Sequence, residues 1–227
     1  MGRIHRRPEG VSSRAALLLV MVAWPGSARG QTAPTAEEEL ALPAQSTIPP
    51  AVGNPFIQYG VAFTSEIVVT PGPMCASGSS VPCILGSGGG IVFPRIGWRS
   101  SGPWYFGGAY EISKQDANTL YQLAILQQLR GEARYYFLSG HVMNPFLGGS
   151  AGIAGYGNEW KIDTFGPTGS VTLGVEAQVA RGTVVGFALN YRLIYFRSFV
   201  DSAGLSRDGS LAQLFGLDIQ LEVRDPY

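Results

Sequence analysis

From residue 171 to 179 the chain reads Val, Thr, Leu, Gly, Val, Glu, Ala, Gln, Val, and from 215 to 223 it reads Phe, Gly, Leu, Asp, Ile, Gln, Leu, Glu, Val. One side is apolar at every second position, and the other carries Glu176, Gln178, Asp218, Gln220 and Glu222. A period of two is the signature of a β-strand with two chemically opposite faces. The pattern recurs and predicts eight strands, over about 56–69, 90–99, 104–113, 121–137, 144–156, a sixth ending at the Ala180-Arg181-Gly182 turn, 183–197, and a last one after Ser210. Pro94 does not suit an ordinary central strand, so a bulge is expected there. The connections alternate long and short from the first to the last. An up-and-down barrel with both chain ends on one side therefore has three short turns at that end and four longer loops at the other, as outer-membrane barrels do.

Alternation alone does not say whether the apolar face meets lipid or a soluble core of the lipocalin type. Three features favour lipid outside. The polar faces hold Gly, Ala and paired Arg and Glu but few lysines. Aromatic residues collect near the strand ends, with Tyr59, Trp98, Trp104, Tyr135 and Phe137 toward the short turns and Tyr110, Tyr121, Tyr156, Trp160 and Tyr195 toward the long loops, which suggests two interfacial belts. The strands are also long enough for a tilted span. The fold class expected is all-β, an eight-stranded antiparallel up-and-down transmembrane β-barrel.

Residues 1–30 read as a signal peptide, with Arg3, Arg6, Arg7 and Arg14 ahead of a short apolar stretch and a small-residue end. Residues 31–54, rich in Pro, Ala, Thr and Glu, read as a flexible periplasmic lead-in, and 55–227 as the barrel. Of the 16 basic and 16 acidic groups, residues 1–30 hold five Arg and one Glu, which leaves 11 and 15, a net of −4. That balance shows no basic patch for nucleic acid. The 31 glycines are nearly twice the usual ~7%. Cys75 and Cys83, the two cysteines, sit in one Gly/Pro/Ser-rich loop, and in an exported chain a local disulfide is expected.

With lipid outside, Glu66, Arg95, Arg99, Glu111, Arg130, Glu132, Arg134, Glu176, Arg192, Asp218 and Glu222 enter the lumen. An eight-stranded barrel is just wide enough to be filled by its own side chains, and buried charges need partners. Two readings follow: an internal salt-bridge network that plugs the barrel, or a polar conduit gated by rearranging those pairs. Ala62, Ala109, Ala154 and Ile194 are candidates for an apolar upper lumen. His141 is the histidine left after residues 1–30, and it falls in a predicted inner turn. A Ser-His-acid arrangement at the outer leaflet is therefore not expected. No enzymatic activity, cofactor or metal is expected.

The stretch Asn144-Pro145-Phe146-Leu147-Gly148-Gly149-Ser150-Ala151-Gly152, the Gly174-Val175-Glu176 strand with its tight turn, and Gly216-x-x-Ile219-x-Leu221 together resemble the small outer-membrane barrels of the OmpA transmembrane-domain and OmpX type, and more loosely the OmpW type. The resemblance covers about 55–223. It implies insertion into the outer membrane of a Gram-negative bacterium with both termini periplasmic. It also implies contact with outer-membrane lipid and lipopolysaccharide, and handling by periplasmic chaperones and the barrel-assembly machinery, for which Gly216, Ile219 and Leu221 would be the signal. A monomer is expected. Family members often end the last strand on an aromatic residue, whereas here Glu222-Val223-Arg224-Asp225-Pro226 precedes Tyr227. The functions implied are envelope structure or surface interaction through the outer loops, with passage of small, apolar solutes as the OmpW-like alternative and lipid A modification as a third.

Overall fold

The computed structural model describes residues 55–72, 85–115, 121–180, 182–201 and 204–226. The proposed signal segment and lead-in, and Cys75 and Cys83, lie outside the described residues.

Alternating side chains build ten strands: β1 (Phe56–Thr70), β2 (Gly88–Arg99), β3 (Trp104–Gln115), β4 (Ala124–Tyr136), β5 (Met143–Asn158), β6 (Thr164–Ala180), β7 (Thr183–Phe196), β8 (Phe199–Val200), β9 (Ser206–Arg207) and β10 (Ser210–Pro226). Eight of them close a barrel in the order β1-β10-β7-β6-β5-β4-β3-β2, while β8 and β9 form a small hairpin of their own. Every barrel pair is antiparallel, and β1 seals the sheet against β10 from Phe56↔Pro226 to Thr70↔Gln213. The chain is thus an all-β, eight-stranded up-and-down barrel.

The two faces separate by chemistry. Outward lie Tyr59, Phe63, Leu129, Ile153, Leu173, Phe187 and Leu217, all well exposed. Inward lie buried charges, amides and a few aromatics. Strand β2 shows how the register is kept. Val92 and Arg95 both point inward although three residues apart, because Phe93 and Pro94 bulge outward together between them. Past this extra residue the alternation resumes, and Arg95 and Arg99 both enter the lumen.

Inward glycines make room for rings. A methyl group at Gly97 or Gly107, which pair across β2 and β3, would overlap the Tyr105 ring, and one at Gly174 would overlap Phe146. Tyr105, Tyr136, Phe146 and Ala188 thereby form an apolar cluster toward the end of the barrel where β1 starts and β10 ends.

Several boundaries differ from the sequence expectation. Strand β4 starts at Ala124 rather than 121, and β10 runs to Pro226 rather than 223. The expected long loop 157–167 is five residues, 159–163, because β5 and β6 continue pairing to Tyr156↔Thr164. Tyr121 and Tyr156, placed in the outer aromatic belt from sequence, instead point inward and are buried. Tyr156 shares the parity of Asn144, Phe146 and Ala154, which sets it on the lumen side. Tyr121, from the connection before β4, folds in against it.

Candidate functional site: the charged barrel interior

Six arginines and five glutamates run through the lumen as one ladder of ion pairs. Toward the end opposite the start of β1, Arg192 pairs with Glu66 and, at 2.9 Å, with Glu111. Arg130 also pairs with Glu111 and reaches Glu132 at 3.0 Å. Glu132 accepts Arg95 at 3.1 Å and Arg134 at 3.4 Å. Both of these arginines continue to Glu222, at 3.4 and 3.3 Å. Arg134 further pairs with Glu176 at 3.0 Å, which also receives Arg99 at 3.3 Å and Arg224 at 3.0 Å.

Neutral groups complete the coordination. Gln115 donates to Glu66 at 2.9 Å, Gln128 to Glu111 at 3.2 Å, Gln58 to Glu222, and the Tyr136 hydroxyl to Glu176. The Arg99 guanidinium lies 3.2 Å from the centre of the Tyr136 ring. These charges are all buried. An isolated ionised side chain there would be costly, and alternation of sign along the ladder offsets that cost.

The eleven residues read from the sequence all lie inside. Ten of them join the ladder, and Asp218 stands apart, accepting a 3.1 Å hydrogen bond from Asn190. Sequence reasoning passed over Arg224, because the last strand was expected to end at Val223. The signal was present, since Arg224 continues the parity of Asp218, Gln220 and Glu222. It also passed over Tyr136, whose hydroxyl serves a charge rather than a belt. Gly216 packs against Asn190 from the lumen side, whereas Ile219 and Leu221 are exposed on the outer wall.

Little space is left beside the ladder. A polar cavity bordered by Arg95, Arg130, Ser170, Asn190, Asp218 and Gln220 offers about 20 Å³ to the centre of a water molecule, room for roughly one water. Above the ladder, toward the longer loops, the interior turns apolar. Leu85, Tyr121, Leu126, Tyr156, Phe196 and Leu214 pack with Ala154 and Ile194, and Phe199 of the β8–β9 hairpin joins them. Of the residues proposed for an apolar upper lumen, Ala154 and Ile194 lie in this cluster, while Ala62 and Ala109 pack with Val92 elsewhere on the wall. The Tyr121 hydroxyl donates to Asp163 at 2.8 Å. Burial and that carboxylate push the phenol above its usual range. An Asp201–Arg207 ion pair of 2.9 Å holds the β8–β9 hairpin.

His141 sits exposed in the connection between β4 and β5. Among the described residues, no group of three or more His, Cys, Asp or Glu side chains could hold a metal ion.

Comparison with known proteins supports the architecture. No family model matches the chain, and no curated protein sequence does. The crystal structure of Neisserial surface protein A aligns with a TM-score of 0.51 at 18% identity, covering 75% of this chain and 97% of that one. The outer membrane protein OprG from Pseudomonas aeruginosa gives 0.49 at 12% identity, covering 79% and 99%. The outer membrane protein AlkL, solved by solid-state NMR in lipid bilayers, gives 0.49 at 10% identity, covering 88% and 97%. The fold is that of the small outer-membrane β-barrels.

Proposed function

We propose that this outer-membrane barrel is a closed, non-enzymatic membrane protein that serves envelope structure or surface interaction through its outer loops. The observation that carries the reading is the continuous Arg–Glu ladder beneath an apolar outer closure. The start of β1, the end of β10 and the strand ends that flank the connections after β2, β4 and β6 share one end of the barrel. The strand ends that flank the connections after β1, β3, β5 and β7 share the other. This supports periplasmic termini and outward-facing loops. The partners we propose are outer-membrane lipid and lipopolysaccharide, with chaperones and the assembly machinery during biogenesis, and the protein acts as a monomer.

The test is single-channel conductance of the refolded protein in a planar bilayer. Wild type is expected to be silent, and Arg130→Ala, which removes a partner of both Glu111 and Glu132, is expected to give brief openings. Steady conductance by wild type would overturn the closed-barrel reading. It would favour the second reading, passage of small apolar solutes, which draws on the apolar outer end. Altered lipid A in cells overproducing the protein would overturn the non-enzymatic assignment.

A further inference from the structure

The outer wall of the barrel carries a depression between β3, β4, β5 and β6, lined by Tyr110, Gln127, Leu129, Ile153, Ile162 and Phe165, with a volume of about 350 Å³. Its lining is almost wholly apolar, and it opens on the outward face. Ile162, from the tip of the β5–β6 hairpin, folds back over Gly155 and forms its upper rim, where even a methyl group on Gly155 would press on the Ile162 side chain. Gln127 and the Tyr110 hydroxyl bring polar atoms to this lining, whereas the Gln128 side chain turns inward to Glu111. Gln127 lies three residues inside the outer end of β4, about 10 Å along the strand. Its Oε1 accepts the Tyr110 hydroxyl at 2.8 Å. Its amide nitrogen, with two donors, makes no hydrogen bond among the described residues. On a wall that faces hydrocarbon, a donor without an acceptor is costly.

A second pair of the same kind stands across the barrel. The Tyr191 hydroxyl donates to Gln213 at 2.8 Å on β7 and β10. Those strands lie opposite β3 and β4 in the closed order. Neither residue of that pair borders the depression at Gln127. In each pair the Tyr lies five residues and the Gln three residues in from the same end of the barrel strands, and one of the pairs adjoins an apolar slot.

We propose that this slot is a lipid site: an acyl chain of an outer-leaflet lipid lies against Leu129, Ile153 and Phe165 under Ile162, and the ester or amide carbonyl at the head of that chain accepts from the Gln127 amide. The proposal rests on the membrane-spanning reading above. The membrane is the medium that covers this face, so its own amphiphiles are what reach the slot. A chain with a carbonyl at its polar end matches both halves of the site.

The experiment uses the full chain refolded into phosphatidylcholine vesicles doped with a phosphatidylcholine that carries a diazirine in one acyl chain. Photolysis and peptide mass spectrometry then map the adducts. Adducts are expected to concentrate on residues 153, 162 and 165 over the rest of the wall. Gln127→Leu should lower that enrichment about fivefold, the equivalent of one hydrogen bond of about 1 kcal/mol. Ile153→Trp, which fills the slot, should abolish it, and Gln213→Leu should leave it unchanged. Circular dichroism and protease resistance verify that each variant is folded. Adducts spread evenly over the outward residues, or a Gln127→Leu variant labelled like wild type, would overturn the site while leaving the membrane reading intact. A folded protein with no adducts on any outward residue would overturn the membrane reading, and the site with it.

Discussion

The strongest demands on single residues come from the ladder. Arg134 meets Glu132, Glu176 and Glu222 at once, so removing it takes one partner from each of three buried carboxylates. Arg134→Ala is expected to destabilise the barrel by about 3–5 kcal/mol, measured by urea unfolding in lipid vesicles. Arg134→Lys should rescue only part of this, because a point charge does not reproduce the planar fork. Asp218→Asn, which disturbs a single hydrogen bond from Asn190, should cost no more than about 1.5 kcal/mol in the same assay. The outer wall makes the opposite demand. Leu173 is 58% exposed on the outward face, and Leu173→Arg should cost about 2–4 kcal/mol if it meets the bilayer midplane. A cost near zero would mean that this face does not meet hydrocarbon.

At the scale of elements, the alternation in β3, β7 and β10, and in β1 as far as Val68, was legible because nothing interrupts it. Where reading fell short, the cause lay in contacts that periodicity does not encode. The β5–β6 hairpin pairs to Tyr156↔Thr164 through a Gly- and Pro-containing stretch that resembles a loop. Arg224 extends β10 because Glu176 awaits it across the lumen. Tyr121 turns inward because Asp163 and Tyr156 receive it. The ladder's members could be named from parity, but which carboxylate meets which guanidinium depends on strand stagger, which a single sequence does not state. The bulge in β2 is the exception, since Pro94 marks it directly. Deleting Pro94 removes the extra residue and leaves Val92, Phe93 and Arg95 in plain alternation, with Arg95 and Arg99 still facing the lumen. The deletion variant should therefore fold in vesicles by circular dichroism, as should Pro94→Ala. A deletion variant that fails to fold would mean that the bulge does more than keep the register.

For the whole molecule, two barriers stand in series, the charged ladder and the apolar outer closure. Opening one leaves the other in place, so Arg130→Ala combined with Phe196→Ala should open more often than the two single variants together predict, as read from open probability in planar bilayers. The barrel's own closure has a separate consequence. Strand β1 hydrogen-bonds on one side to β2 and on the other to β10, so the first barrel strand in the sequence waits for the last. Until β10 arrives, β1 presents an unsatisfied row of donors and acceptors to any neighbouring chain. A product cut short before residue 210 would keep that row for good, and two such fragments could satisfy each other edge to edge. With the proposed chaperones, this topology favours a partner that holds the chain, with its earliest barrel strand covered until the latest is delivered, over one that hastens its folding.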